Sequence, residues 1–158
     1  MADRLVINTS PLLVLARADL LEVVGQLPLD FICPTEVLDE IAAGVALGYP
    51  DVRPPWLTAL ELSRPVDLVA RATLDLGEAA VIQLAVEQQV ARVCLDDRKG
   101  RRAAQAVGLQ VTGSLGLLVR AKQMGIIATL RPLLERMQRE GAYYDEELVR
   151  RVLQGVGE

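Results

Sequence analysis

At 158 residues the chain has the length of a single domain, since domains cluster at roughly 100 to 150 residues, and a second domain would have no room for its own core. It is 51% hydrophobic but only 3% aromatic, which argues against disorder and leaves Leu, Val, Ile and Ala to build the core. The net charge of −4, from 21 acidic and 17 basic residues, excludes the overall basic field of a dedicated nucleic-acid-binding domain, so any polyanion site must be local.

Arg4 to Ile7 reads as a short buried strand. Asn8-Thr9-Ser10-Pro11 breaks it with capping side chains and a proline suited to a first helical turn, predicting a helix to about Val24. Leu29 to Cys33 is a second strand, and Pro34-Thr35 opens a helix through about Ala43 that ends at Gly44 or Gly48. Prolines and an aspartate between Tyr49 and Pro55 mark an irregular connection before a weak edge strand within Trp56 to Ser63. Leu76 to Gln88 is apolar on nearly every side, as a helix buried between a sheet and other helices would be.

Ala91 to Leu95 is a further strand, Arg98 to Val107 a basic helix and Leu109 to Thr112 a last strand. Helices follow near Leu115 to Lys122, Leu130 to Arg139 and Asp145 to Gln154. Strands alternating with helices predict an α/β fold with a mostly parallel sheet of about five strands covered on both faces, one domain over 1–158 with the helices from about 130 as an extension. Those last helices carry Leu130, Leu133, Leu134 and Met137 at helical spacing; packing on the domain is the default, with a dimer or partner-protein surface as the alternative.

Cys33 and Cys94 each end an apolar run and read as buried, reduced thiols; two cysteines without histidine cannot make the usual four-ligand zinc site. The N-terminus lacks the order of a signal peptide, and no apolar run approaches the ~20 residues that span a bilayer, so a cytoplasmic location without membrane contact is expected. The absence of histidine argues against serine and cysteine hydrolases, which need an imidazole to activate their nucleophile. Neither a G-x-x-x-x-G-K-[ST] loop nor a G-x-G-x-x-G after a strand occurs.

What remains is carboxylate and metal chemistry. In a parallel sheet, ligands bind beyond the carboxyl ends of the strands. Asn8 follows the first strand, Asp96 and Asp97 follow Val93-Cys94-Leu95, and Glu40 and Glu78 lie early in helices that can pack beside them. Acids gathered without bases repel one another, so a folded chain keeps such a cluster by binding a cation or by protonating some of its members. Mg²⁺ and Mn²⁺ prefer oxygen ligands and, held by carboxylates, activate water for phosphoryl displacement.

Each acid also has a plainer reading. Asp75-x-x-Glu78 has the spacing of a capping box. Asp39 and Glu40 flank the apolar face of their helix about equally, so periodicity does not choose between them. Asp96-Asp97 suits a turn and a helix cap, and Asn8 a cap or turn. Arg98, Lys99, Arg101 and Arg102 follow the acid pair and could hold a nucleic-acid backbone near it, or form a solvated face. Ser114 reads as the cap of the helix after it, rather than as part of a phosphate site. Phe31, Tyr49, Trp56, Tyr143 and Tyr144 are scattered and form no evident stacking platform.

Four segments, in this order and spacing, carry a family likeness: Val6-Ile7-Asn8-Thr9-Ser10-Pro11-Leu12, Pro34-Thr35-Glu36-Val37-Leu38-Asp39-Glu40, Leu76-Gly77-Glu78-Ala79-Ala80 and Leu95-Asp96-Asp97-Arg98-Lys99-Gly100-Arg101. They resemble the PIN-domain family, in particular a branch similar to the VapC-type ribonuclease toxins of toxin–antitoxin pairs. Gly113-Ser114-Leu115-Gly116-Leu117-Leu118 and Glu140-Gly141-Ala142-Tyr143-Tyr144 extend the likeness over essentially the whole chain.

The resemblance implies a three-layer α/β/α fold, a Mg²⁺ or Mn²⁺ site and cleavage of single-stranded RNA by metal-activated water, with RNA, a small antitoxin protein and a second copy as partners. It implies metal ligands at Asn8, Glu40, Glu78 and the Asp96-Asp97 pair, with Asp97 favoured over Asp96, and a role for the Thr9 and Ser10 hydroxyls in orienting the first ligand. Position 8 departs from the family, which ordinarily has aspartate there; asparagine keeps an oxygen but removes a charge. An inactive PIN-like binding module is therefore the alternative to a nuclease. The acids alone would also permit another α/β metal enzyme, such as a phosphatase.

Overall fold

The structure is a computed structural model and describes residues 3–158. Its elements, in chain order, are β1 (Asp3–Ile7), α1 (Thr9–Arg17), α2 (Leu21–Gly25), β2 (Leu29–Pro34), α3 (Thr35–Val45), β3 (Leu57–Leu60) and α4 (Leu68–Thr73). There follow α5 (Leu76–Glu87), β4 (Arg92–Cys94), α6 (Arg98–Ala106), β5 (Gln110–Thr112), α7 (Ser114–Gln123), α8 (Arg131–Arg139) and α9 (Glu146–Gly155).

The strands form one sheet in the order β3-β2-β1-β4-β5, and every pair is parallel. This is the expected α/β architecture, with a sheet that is wholly rather than mostly parallel. Leu5, Val6 and Ile7 of β1 are all buried, as are Phe31, Ile32 and Cys33 of β2 and Val93 and Cys94 of β4. Unbroken apolar runs of this kind suit strands covered on both faces. Val6 lies beside Ile32 on one side and Val93 on the other, which places β1 at the centre of the core.

From β1 the chain moves outward through β2 to β3, then crosses back to β4 and on to β5. Neighbouring β1 and β4 therefore send their connections in opposite directions, and a crevice opens beyond their carboxyl ends at such a reversal. Helix α5 lies against β2, β1 and β4 and also touches α3, α4 and α6, so its first turn is held at that crevice.

Four local expectations are corrected. The helix expected to run to Val24 is two, because Asp19 takes a left-handed φ of 57° and the Leu20 amide turns back to the Leu15 carbonyl. Aspartate tolerates that region without the glycine that would have marked a break. Helix α4 was not anticipated: it buries no side chain, so it carries no apolar stripe, and it starts where the Asp67 carboxylate accepts from the Val69 and Ala70 amides. The edge strand shrinks to Leu57–Leu60, while Trp56 leaves it to pack on Phe31 with ring centroids 4.8 Å apart. The cap of α7 is Gly113, and Ser114 stands inside the helix.

Leu130, Leu134, Met137 and Leu153 join the same buried cluster as the sheet, so the C-terminal helices pack on the sheet layers. The Glu158 carboxylate accepts from the amides of Leu130 (2.6 Å) and Arg131 (3.0 Å), closing the start of α8 where Leu130 supplies no side-chain cap. Cys33 and Cys94 are buried and unpaired, and burial pushes the Cys33 thiol up to about 12. Among the described residues no helix is long and apolar enough to cross a membrane.

Candidate functional site

Asn8 ends β1, and its amide donates to the Cys94 carbonyl at 3.1 Å. The ends of β1 and β4 are thus stitched together, and Leu95-Asp96-Asp97 leaves β4 beside Asn8. Asn8 is 5% exposed and occupies the N-cap position of α1, yet its side chain makes no capping bond. Its Oδ1 is buried and has no partner among the described residues.

The neighbouring hydroxyl does not orient Asn8. Thr9 Oγ1 instead donates to Glu40 Oε2 at 2.6 Å, tying the first turn of α1 to α3. Ser10 is exposed, outside this contact. Glu40 also lies against the first turn of α5: a Cβ added at Gly77 would stand 2.7 Å from Glu40 Oε2 and closer still to Oε1. Glycine at 77 is what lets the carboxylate approach the backbone there.

The two oxygens of Glu78 have different surroundings. Oε1 accepts from the Asp75 amide at 3.2 Å while Asp75 Oδ1 accepts from the Glu78 amide at 2.8 Å, the expected capping box. Oε2 is buried without a partner among the described residues, and the side chain as a whole is 4% exposed. A Cβ at Gly100 would come within 2.7 Å of that oxygen, so α6 packs a glycine directly onto it. Burial pushes the Glu78 carboxyl up to about 7; the Asp75 amide opposes this, and the Asp75 and Asp97 carboxylates reinforce it.

The two aspartates after β4 diverge. Asp97 is exposed and caps α6, with Oδ2 accepting from the Lys99 amide at 3.1 Å, and it is the one that bears on Glu78. Asp96 turns to the β5–α7 junction, where its Oδ1 accepts from the Ser114 amide (2.8 Å) and hydroxyl (3.2 Å). The buried Ser114 Oγ is in turn 2.7 Å from the Tyr144 hydroxyl, and burial pushes that phenol up to about 12. Sequence reasoning missed Ser114 and Tyr144 as parts of this chain of contacts. The available signal was the pairing of Tyr143 with Tyr144 in a chain so poor in aromatic residues.

Of the four expected cations, Arg101 is committed to the scaffold: its Nη1 donates to the Leu95 carbonyl at 3.0 Å and lies against Gly113. Arg98, Lys99 and Arg102 are exposed, and none forms an ion pair among the described residues. They place positive charge on the helix that Asp97 begins.

The convergence of acids is partial. Glu40 is gathered with Thr9 and Gly77, and Glu78 with Asp97 and Gly100, while Asp96 faces elsewhere. Among the described residues no three Asp, Glu, His or Cys side chains already stand close enough to hold a metal ion. The donor chemistry nevertheless fits a hard cation, because the available atoms are all oxygens. Two of them, Asn8 Oδ1 and Glu78 Oε2, are buried and unsatisfied where buried polar atoms are normally paired.

No curated protein and no solved structure matches the chain. The family described as DUF3368, PIN domain, matches residues 4–158. Since that match runs through every element from β1 to α9, including all the strand-end residues above, the chain belongs to the PIN-domain family.

Proposed function

We propose that the protein is a Mg²⁺- or Mn²⁺-dependent endoribonuclease that cleaves single-stranded RNA. The observation that carries this reading is the pair of buried oxygens without a partner among the described residues, Asn8 Oδ1 and Glu78 Oε2, at the reversal point of a PIN-family sheet. Asn8, Glu40, Glu78 and Asp97 are the residues that would hold the ion, with Asp96 as the alternative fourth acid. When bound, such an ion lowers the pKa of water and stabilises charge during in-line displacement at phosphorus.

Thr9 holds the Glu40 carboxylate in place, so less reorganisation is needed when a ligand arrives. Glu78, with its carboxyl raised to about 7, gives up its proton as positive charge comes near and then supplies a full anionic oxygen. Arg98, Lys99 and Arg102 neutralise phosphates of the strand, a contact that positions RNA without reading its sequence. The likeness to VapC-type toxins extends this reading to a cytoplasmic toxin restrained by a small antitoxin protein, with a second copy of the chain as a further partner.

A second reading rests on Asn8 itself. Its amide is neutral where the family ordinarily carries a charge, which supports a weakened or inactive module that binds RNA or protein. Purified chain, free of any antitoxin, should cleave single-stranded RNA only with Mg²⁺ or Mn²⁺, and Asp97→Ala should abolish the cleavage. Inactivity of the wild type combined with gained metal affinity and cleavage in Asn8→Asp would establish the second reading and sink the first.

A further inference from the structure

The chain contains five aromatic residues. Phe31 and Trp56 pack on each other, Tyr49 has the Arg17 guanidinium 5.1 Å from its ring centroid, and the Tyr144 hydroxyl is bonded to Ser114. Tyr143 has none of these engagements and is 88% exposed, the most exposed large apolar side chain among the described residues. An unpartnered ring at that exposure stabilises nothing in the fold, since its apolar face stays in water.

Its position is fixed nonetheless. The segment between α8 and α9 starts at Glu140, turns at Gly141 with a left-handed φ of 102°, and continues without helical structure to Asp145. Ala142 is anchored through its amide to the Met137 carbonyl at 2.9 Å, and Tyr144 through Ser114 to Asp96. Residues 142 and 144 are partly buried against the core while 143 alone is turned out. Three links therefore separate the backbone carrying this ring from the residue next to Asp97, on the side where Arg101 and Gly113 meet Asp96.

We propose that Tyr143 is the base-stacking residue of the site, receiving an unpaired base of single-stranded RNA whose phosphates lie along Arg98, Lys99 and Arg102. This rests on the ribonuclease reading and deepens it. Helix α6 supplies the sequence-independent charge, and an exposed stacking face, linked to Asp96 through Tyr144 and Ser114, selects strands whose bases are free to leave a helix. The carboxylates that follow Tyr143 are in part already engaged: Asp145 accepts from the Glu147 amide, and Glu147 pairs with Arg150 and Arg151.

The test is binding of a fluorescently labelled single-stranded oligoribonucleotide to the full chain in chelator, where no cleavage intervenes. Tyr143→Ala should weaken binding by about 5- to 100-fold with the slope against salt unchanged, and Tyr143→Phe should keep the affinity. Replacing Arg98, Lys99 and Arg102 should flatten the salt slope instead. On a strand with abasic residues, wild type and Tyr143→Ala should bind alike. The proposal is overturned if Tyr143→Ala binds RNA as wild type does, if its deficit persists on the abasic strand, or if it alters only self-association. Wild-type chain that binds no RNA at all would overturn the ribonuclease reading as well.

Discussion

Thr9 Oγ1 donates to Glu40 Oε2 at 2.6 Å, so the residue after the strand-end asparagine fixes an acid 31 positions away. The bond joins the first turn of α1 to α3 across the carboxyl end of the sheet and sets one rotamer of Glu40. Thr9→Val keeps the shape and removes the donor. Metal affinity and RNA cleavage are expected to fall by about 10- to 100-fold, the usual cost of losing such an orienting contact. Thr9→Ser should retain most of both. Titration of Mn²⁺ against each variant checks this, and equal affinity in Thr9→Val and wild type would show that Glu40 needs no orientation.

Gly100 separates stability from function. It lies within α6, where alanine ordinarily stabilises a helix by about 0.5–1 kcal/mol relative to glycine. Here the added Cβ would stand 2.7 Å from Glu78 Oε2, the oxygen without a hydrogen-bond partner among the described residues. Gly100→Ala is therefore expected to melt at or slightly above the wild-type temperature while losing most of its cleavage, because Glu78 must swing aside. Paired melting and activity measurements decide it. Unchanged activity would mean that Glu78 Oε2 is not used.

The raised carboxyl of Glu78 makes a prediction about pH. An unfolded glutamate releases its proton near pH 4.5, whereas the folded one holds it to about 7. Below that window both states are protonated and the group costs nothing. As pH rises through it, only the unfolded chain gains by ionising, so the folded state loses stability and the full penalty is present above about pH 7. At roughly 1.4 kcal/mol per unit, and with the carboxylate free to relax toward water as it ionises, the penalty is about 2 kcal/mol. Glu78→Gln should thus raise the melting temperature by about 4–8 °C at pH 8 in chelator, and hardly at all at pH 4. Mg²⁺ should stabilise the wild type at pH 8 and not the variant. A melting difference that is the same at both pH values would contradict the assignment.

The parallel sheet and the strand-end residues were legible because they rest on apolar runs and on the reversal rule, both of which act over a few residues. Glu78 was legible as a cap, and Oε1 fills that role; a carboxylate has a second oxygen, and Oε2 is left unpaired among the described residues. Less visible were features set by distant partners. Periodicity could not distinguish Asp39 from Glu40; the structure places Glu40 through Thr9 and through the missing Cβ at Gly77. Helix α4 left no apolar stripe because it buries no side chain fully and only Ala70 leans on the core, and the break at Asp19 lacked a glycine. Ser114 looked like a cap from its neighbours alone, whereas its true partners, Asp96 and Tyr144, are 18 and 30 residues away.

Asp96 and Asp97 should part in their response to mutation. Asp97 is exposed and contributes one capping bond, so Asp97→Ala is expected to cost about 1 kcal/mol of stability while removing activity. Asp96→Ala leaves the amide of the fully buried Ser114 without its acceptor, and its hydroxyl with Tyr144 alone, a loss of about 1–3 kcal/mol. Tyr144→Phe removes a neighbouring link of the same chain, so its effect and that of Asp96→Ala should be non-additive in a double-mutant cycle. Asp97 and Tyr144 share no partner, and their effects should simply add. Melting curves of the variants, set beside Mn²⁺ affinities, separate the roles. If Asp96→Asn, which keeps an oxygen acceptor for Ser114, holds its stability but loses Mn²⁺, then the oxygen of Asp96 that Ser114 does not occupy is the fourth ligand and Asp97 is the cap.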